Sequence, residues 1–309
     1  MASGDTRSAR RRPRFLSRKT AGEVAFDLLN YLFLFLFSLT ILYPFWSTIL
    51  LSFSTVEEAT SLGFHVWIRT WTLSAYKFAM SRYGSVPIAY ANSIFRTVAG
   101  TLLTLVVTLL AAYPLSKKNL PGRNAVTIFI LVTMFFGGGI IPSYLLIRSL
   151  GLIDKRLVLF LPGLAGGFNI VIMRNFLMTL DKSYEESAFM DGANYLQILS
   201  SIIVPLSKPV IATVALWTAV GHWNAWFDAM IYIRSGNKIV LQLLLQRMLQ
   251  QLQEFAQQVA NFQQVENVEL PSESMKAAVT VLTIGPIVAA YPFLQKYFIK
   301  GFLMGSLKG

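Results

Sequence analysis

Few side chains in this sequence are spaced to make or break bonds. The two histidines, His65 and His222, lie on different segments, cysteine is absent, and no HExxH, paired-carboxylate or GxSxG constellation occurs. Metal-assisted hydrolysis, thiolate chemistry and acyl transfer are therefore not expected. The GxxxxGK[ST] phosphate loop is missing too, so this chain is expected to be no enzyme and to hold no cofactor or metal of its own. The polar residues that do cluster at meaningful spacing stand in RNFLMTLDKSYEESAFMDGANYLQILSSIIVPLSKP, beginning at Arg174. Their chemistry is that of helix caps and turns. Ser183 and Glu186 have the spacing of a capping box, and Glu185 adds negative charge where a helix dipole favours it. Asp191 and Gly192 then interrupt the helix, Gly permitting a turn and Asp able to cap a second helix through Tyr195, Ile198 and Leu199. Pro205 and Pro209 bend the chain into the next uncharged stretch. The expectation is a pair of short helices whose small residues, Ser187, Ala188 and Ala193, allow close contact.

The elements that must carry this segment are membrane helices. Apolar residues make up 54% of the chain and charged ones 14%, where a soluble domain has roughly 45–50% and 25%. Uncharged stretches cover 28–56, 97–116, 124–147, 157–173, 209–227 and 277–295, and about 20 apolar residues suffice to cross the hydrocarbon. Six transmembrane helices result, in one all-α domain over 28–309 behind a basic tail, 1–27. The stretch 157–173 is short and holds Gly163, Gly166 and Gly167, which neighbouring helices can tolerate. Uninterrupted apolar runs such as LLNYLFLFLFSLTIL exclude a barrel of alternating strands. The first stretch exceeds a signal-peptide core of about 7–15 residues and lacks a cleavage site, so it reads as a retained anchor.

The net charge of +12 is concentrated in the tail, where Arg7, Arg10, Arg11, Arg12, Arg14, Arg18 and Lys19 face only Asp5. A single aromatic residue, Phe15, stands among these arginines, too few to form a base-stacking platform, which argues against nucleic acid. Basic residues beside a first span hold the N-terminus inside; six spans return the C-terminus, with Lys296, Lys300 and Lys308, to the same side, along with Lys117, Lys118 and Arg123. The segment beginning at Arg174 is then cytoplasmic. On the other side, the loop 57–92 holds Trp67, Trp71, Tyr76, Tyr83 and Tyr90, suited to the membrane interface. A second outer loop, 228–276, carries an amphipathic helix in 239–264, apolar at Leu241, Leu244, Leu245, Met248, Leu252, Phe255, Val259 and Phe262 and glutamine-rich opposite. It can lie on the membrane, pack on the bundle or dock an external partner.

Polar residues inside spans are candidates for a transport path, or else for interhelical hydrogen bonds: Asn169, His222, Asn224 and Asp228. Gly163 and Gly167 form a GxxxG pair, and Gly137, Gly138 and Gly139 with Pro142 are placed to break a helix near the outer face. The path candidates are Gly163, Gly167, Asn169 and Asn224.

From Glu186 to Pro209 the sequence ESAFMDGANYLQILSSIIVPLSKP resembles the cytoplasmic signature of binding-protein-dependent ABC importer permeases, EAAxxDGAxxxxxFxxIxxPLxxP. It keeps Glu186, Ala188, Asp191, Gly192, Ala193, Ile202, Pro205, Leu206 and Pro209, and departs at Ser187 and Leu199. FFGGGIIPSYLLIRSLGLIDKR, WNAWFDAMIYI and YPFLQKYFIKGFLMGSLKG are similar to stretches of maltose-type sugar permeases, especially those for complex oligosaccharides in Gram-positive bacteria. The resemblance implies a type I importer fold in a bacterial cell membrane. It further implies that the segment 182–209 couples to a partner ATPase through Glu186, Ser187, Ala188, Asp191, Gly192, Ala193 and Pro205. The implied partners are a second, related permease, two cytoplasmic ATPase subunits that use ATP and Mg, and an external sugar-binding protein that meets 239–264, all in a lipid setting. The competing readings are a secondary transporter or channel, which needs buried ionisable residues nearly absent from the uncharged stretches, and a membrane-embedded enzyme.

Overall fold

A computed structural model describes residues 20–60, 66–82, 86–261 and 273–288, and among these every regular element is a helix or helical turn. The chain runs through α1 (Ala21–Ser52), α2 (Val56–Thr60), α3 (Ser74–Arg82), α4 (Val86–Ser116), α5 (Arg123–Phe135) and α6 (Ile140–Ser149). Two 3-10 turns, Arg156–Leu159 and Leu161–Gly163, lead into α7 (Gly167–Leu177) and α8 (Ser183–Met190). Next come α9 (Tyr195–Ile198), a π turn over Leu199–Ile203, α10 (Val204–Leu206), α11 (Lys208–Asn224), α12 (Phe227–Tyr232) and α13 (Leu241–Asn261). A last helix, α14, covers 273–288.

Among the described residues, α1 and α4 are each long and apolar enough to cross a membrane, and three bent pairs bring the count of spans to as many as five. The sixth expected span falls on α14 and on residues beyond the described ones, as do the basic tail before Thr20 and the C-terminal lysines.

Several boundaries depart from the sequence expectation. α1 starts at Ala21, seven residues before the uncharged stretch, because Thr20 and Glu23 form a reciprocal capping box there. α4 starts at Val86 rather than 97, because a charge inside it, Arg96, is buried and paired. The stretch 124–147 is two helices bent by 114°, and the break spans Gly137, Gly138 and Gly139, the last at φ +80°. The stretch 157–173 is the two 3-10 turns plus α7, with a 50° bend.

The helix α4 organises the bundle by turning the usual pattern inside out. Its small or hydroxyl residues Thr101, Thr104, Thr108 and Ala112, at three- and four-residue spacing, are buried, while Val98, Leu102, Val106 and Leu110 are exposed. Small residues let α7 and α11 approach closely, and the large ones face outward, as a lipid-embedded helix requires. Two apolar clusters result. One joins α4 to α12, α13 and the 3-10 turns through Val158, Phe160, Trp223, Ile233 and Leu244. The other joins the far end of α4 to α7 through α11, with Tyr113, Met173, Ala188, Ile198 and Val214. α1 stands largely apart, exposing Phe26, Phe33, Phe37 and Trp46 and burying only Leu50 and Ser52.

Candidate functional site

The short helices expected from Ser183 onward are present, but their caps differ from the sequence reading. Ser183 is the first helical residue rather than the cap, and its side chain caps nothing. Instead the Asp181 carboxylate accepts from the Ser183 backbone N–H at 3.0 Å, and these Ser183 hydrogen bonds hold Asp181 below the ordinary carboxylate range. Asp191 closes α8 instead of opening α9. Gly192 takes φ +80°, a conformation that favours glycine. Its N–H donates to the Phe189 carbonyl at 3.0 Å and that of Ala193 to Ala188 at 2.9 Å, the two bonds of a Schellman motif. The second helix is capped by Asn194, in a capping box with Gln197 at 2.8 and 3.0 Å. The competing cap residue was in the sequence three positions past Asp191, and Asn194-x-x-Gln197 was the signal that would have found it.

Of the proposed docking residues, Ala188 is buried and Ala193 packs against the same apolar cluster, while Glu186, Ser187, Asp191, Gly192 and Pro205 are exposed. Around them stands an exposed apolar surface: among the described residues Met190 is 89% exposed and Leu196 69%, beside Tyr184 and Tyr195. The Phe189 and Tyr195 rings meet edge-on with centroids 5.0 Å apart, which fixes α8 against α9. Capped helices with an exposed apolar face are what a docking element needs. Beneath them, Lys117 pairs with Glu185. After α10 the chain turns by 81° into α11 at Ser207, between Pro205 and Pro209 as expected.

The structure does not bring the four path candidates together. The Asn169 side-chain Oδ1 accepts from the Trp217 indole N–H at 2.8 Å, linking α7 to α11. Asn224 accepts from Gln242 at 3.4 Å, linking α11 to α13. A Cβ on Gly167 would lie 2.8 Å from Met134, so this glycine marks a close crossing of α7 with α5. Gly163 has open space around it, and the two glycines do not form one contact surface.

A polar group that sequence reading passed over lies at the other end of α4. The Arg96 side chain, 4% exposed, pairs with Asp228 and donates to the Ala225 carbonyl at 2.9 Å. It thereby holds the corner where α11 breaks into α12. One turn away Gly100 makes room for the His222 ring, whose Nε2 would lie 2.5 Å from any added Cβ. Asn92 donates to the carbonyls of Asn237 and Ile239 at 3.0 and 2.9 Å, and Ser93 accepts from the Leu241 N–H at 2.8 Å. Residues 92, 93, 96 and 100 thus form one face of α4 that grips 222–241. The signal was a polar helical face, N-S-x-x-R-x-x-x-G, hidden because an uncharged stretch was taken to mark the span.

Nearby, Asp154 sits at φ +57° and binds a loop across the bundle. It accepts from the backbone N–H groups of Arg234 and Ser235 at 3.1 and 2.9 Å, from the Ser235 hydroxyl, and from Lys238 at 3.0 Å. Chiefly the Ser235 bonds, with Lys238 and Arg234 adding to them, hold its carboxyl far below the ordinary range.

The amphipathic helix α13 packs on the bundle by its first half, burying Leu241, Leu243, Leu244 and Met248, while Gln250, Gln253 and Gln257 are exposed. In the aromatic loop, Trp67 and Trp71 are exposed. Tyr76 donates to the Ser52 hydroxyl at 2.8 Å, with burial raising its pKa. Tyr90 belongs to α4, where it bonds the Leu282 carbonyl of α14. Tyr83 lies outside the described residues.

Residues 85–303 match the family model for the binding-protein-dependent transport system inner membrane component. The chain is 42% identical over 289 residues to protein LplC of Bacillus subtilis strain 168, covering 94% of this chain and 96% of that one. It is 38% identical to the polygalacturonan/rhamnogalacturonan transport system permease protein YtcP of the same organism, over 92% of this chain and 98% of the relative. Among solved structures it is similar to a bacterial ABC transporter involved in import of the acidic polysaccharide alginate. That likeness has a TM-score of 0.80 and 34% identity, and covers 92% of this chain and 100% of the other.

Proposed function

We infer the role of this chain from its family: it belongs to the binding-protein-dependent transport system inner membrane components, and it is a membrane-spanning permease subunit of an ABC importer for a sugar or oligosaccharide. A binding protein delivers the cargo and a partner ATPase supplies the energy. The observation that carries the reading is the α8–α9 pair, with the family's signature residues Glu186, Asp191 and Gly192 exposed on a rigid turn and Ala188 anchoring it to the bundle. We assign to this surface the docking of the ATPase subunit, with Ser187, Ala193 and Pro205 in the same segment 182–209. The exposed Met190 and Leu196 supply the apolar contact.

The finer organisation follows the same reading. The pore is completed by a second, related permease, and two ATPase subunits, which use ATP and Mg, lie on the cytoplasmic side. The basic tail and the Lys117–Arg123 connection support cytoplasmic N- and C-termini and a cytoplasmic α8. The exposed glutamine face of α13 is assigned to the binding protein, and Gly163, Gly167, Asn169 and Asn224 to the border of the path, the last three at helix crossings. For the cargo we favour an acidic oligosaccharide, because the relative named for polygalacturonan and the alginate importer both handle anionic polymers.

The test is purification of the tagged chain from mild detergent with identification of its companions. Recovery of a second permease and an ATPase is expected; a folded chain recovered alone would overturn the reading. Uptake by the same complex of an oligogalacturonide in preference to a maltodextrin of equal length is the expected result for the cargo, and the reverse preference would refute the acidic class.

A further inference from the structure

At the end of α4 nearest α8, three elements are tied to one point. Lys117, the first residue past α4, sends its ammonium to both carboxylate oxygens of Glu185 in the first turn of α8. That ammonium also lies 4.2 Å from the centroid of the buried Tyr113 ring, so it is held from two sides. Two guanidiniums complete the joint: Arg123 and Arg174 each donate from Nε to the Leu115 carbonyl at 3.0 Å, binding α4 to α5 and α7.

On α8 only Glu185 and Ala188 turn toward the bundle. Ala188 is an apolar contact that resists compression, whereas the ionic pair of Glu185 resists separation as well. The covalent route from α8 into the bundle passes the 81° bend at Ser207 before it reaches α11, and a bend absorbs displacement. α4 carries Pro114 in its last turn but continues through it as one helix. From Ser116 back to Arg96 it spans about 30 Å at the ordinary helical rise, and Arg96 grips the Ala225–Asp228 corner at the other end.

We propose that Lys117 is a positioning residue for coupling: through Glu185 it makes α8 pull as well as push on α4, so that movement of the docked ATPase reaches the α11–α12 corner. This rests on the assignment of α8 to ATPase docking. The experiment uses the complete importer in proteoliposomes, with a Ser187→Cys crosslink to the ATPase subunit monitored in every variant. Lys117→Glu and Glu185→Lys, which place like charges face to face, are each expected to lower the ratio of binding-protein-stimulated to basal hydrolysis roughly tenfold, within the ordinary range of allosteric coupling. The crosslink is expected to persist. The double exchange Lys117→Glu/Glu185→Lys restores the opposite charges and most of the ratio; a mere folding defect would lower both rates together. A Lys117→Glu importer with the parent ratio, or an exchange no better than either single variant, would overturn the proposal. Loss of the Ser187→Cys crosslink in the otherwise unsubstituted importer would instead overturn the docking assignment beneath it.

Discussion

At the α12–α13 end of the bundle, charged side chains are turned inward and given partners: Arg96 holds Asp228 and the Ala225 carbonyl, and Asp154 is surrounded by four donor groups. At the α8–α9 end, charged and apolar side chains alike are left outward, with Met190 89% exposed over a base that Lys117 and Glu185 secure. The first end is completed within the chain, whereas the second exposes the apolar side chains that we assign to docking. Stability and coupling should therefore separate between the two ends.

The largest expected effect is at the inward-turned end. Asp228→Ala leaves the Arg96 guanidinium, 4% exposed, without its counter-charge; Asp228 itself is 30% exposed, so the cost is expected at the lower end of the roughly 3–5 kcal/mol of a broken buried pair. Lys117→Met removes a pair whose side chains are 29% and 17% exposed, which water screens, so its cost is expected to be below about 1 kcal/mol. Thermal unfolding followed by tryptophan fluorescence in detergent compares the two directly. Equal losses would erase the distinction between the ends. Next in size is Gly100→Ala, where the added methyl meets the His222 ring at 2.5 Å; overpacking of this kind costs about 1–3 kcal/mol. Gly167→Ala meets Met134 Cγ at 2.8 Å and the Ile130 Cγ2 methyl at 3.1 Å and should lose a comparable amount, so the ratio of the two losses reports how rigid the His222 site is.

Gly192→Ala sharpens the comparison from the other side. Nothing lies within 4 Å of the added carbon, so only the φ of +80° penalises it, at about 1–2 kcal/mol. The loss falls on the turn between α8 and α9 rather than on the bundle. Stimulated ATP hydrolysis in the assembled importer should fall while the unfolding temperature of the bundle stays nearly constant; a fall in both by the same proportion would place Gly192 in the common core.

What the sequence made legible, and what it concealed, divides in the same way. The exposed end could be read because its structure is written in local patterns: a turn glycine, two prolines, small residues and a recurring signature. The break at Gly137–Gly139 was local for the same reason. The errors there were errors of which neighbour wins a cap, with Asp181 displacing Ser183 and Asn194 displacing Asp191. The inward-turned end could not be read. Arg96 and Asp228 are more than a hundred residues apart, as are their neighbours Asn92 and Ile239, and an arginine alone in an apolar run looks like the end of a span until its partner is placed beside it. Asp154 and Ser235 carry no pattern at all, since a loop carboxylate finds its donors only once the fold is formed.

Acid should act on the inward-turned end through Asp154. Its folded pKa is lowered from the ordinary 3.8, so the bonds to Ser235, Lys238 and Arg234 stabilise fully above that pH and are lost as pH falls through the depressed folded value. Asp154→Asn is expected to unfold at a lower temperature than the parent at neutral pH, with the gap closing below about pH 4. A gap that stayed constant across that range would assign the effect to lost geometry rather than to charge.

The smallest effect on stability is expected on α13, which belongs to both kinds of surface. Its first half is core, with Leu241, Leu243, Leu244 and Met248 buried, so deleting the helix would open the bundle and say nothing of docking. Gln253 and Gln257 are exposed on its second half, and Gln253→Lys with Gln257→Lys should change stability by less than about 0.5 kcal/mol. If that face meets the binding protein, the added charges leave basal ATP hydrolysis alone and lower the binding-protein-stimulated rate, more at low salt than at high, because exposed charges are screened. Stimulation unchanged at both salt concentrations would remove α13 from the docking surfaces and leave that role, of the two ends compared, to α8–α9.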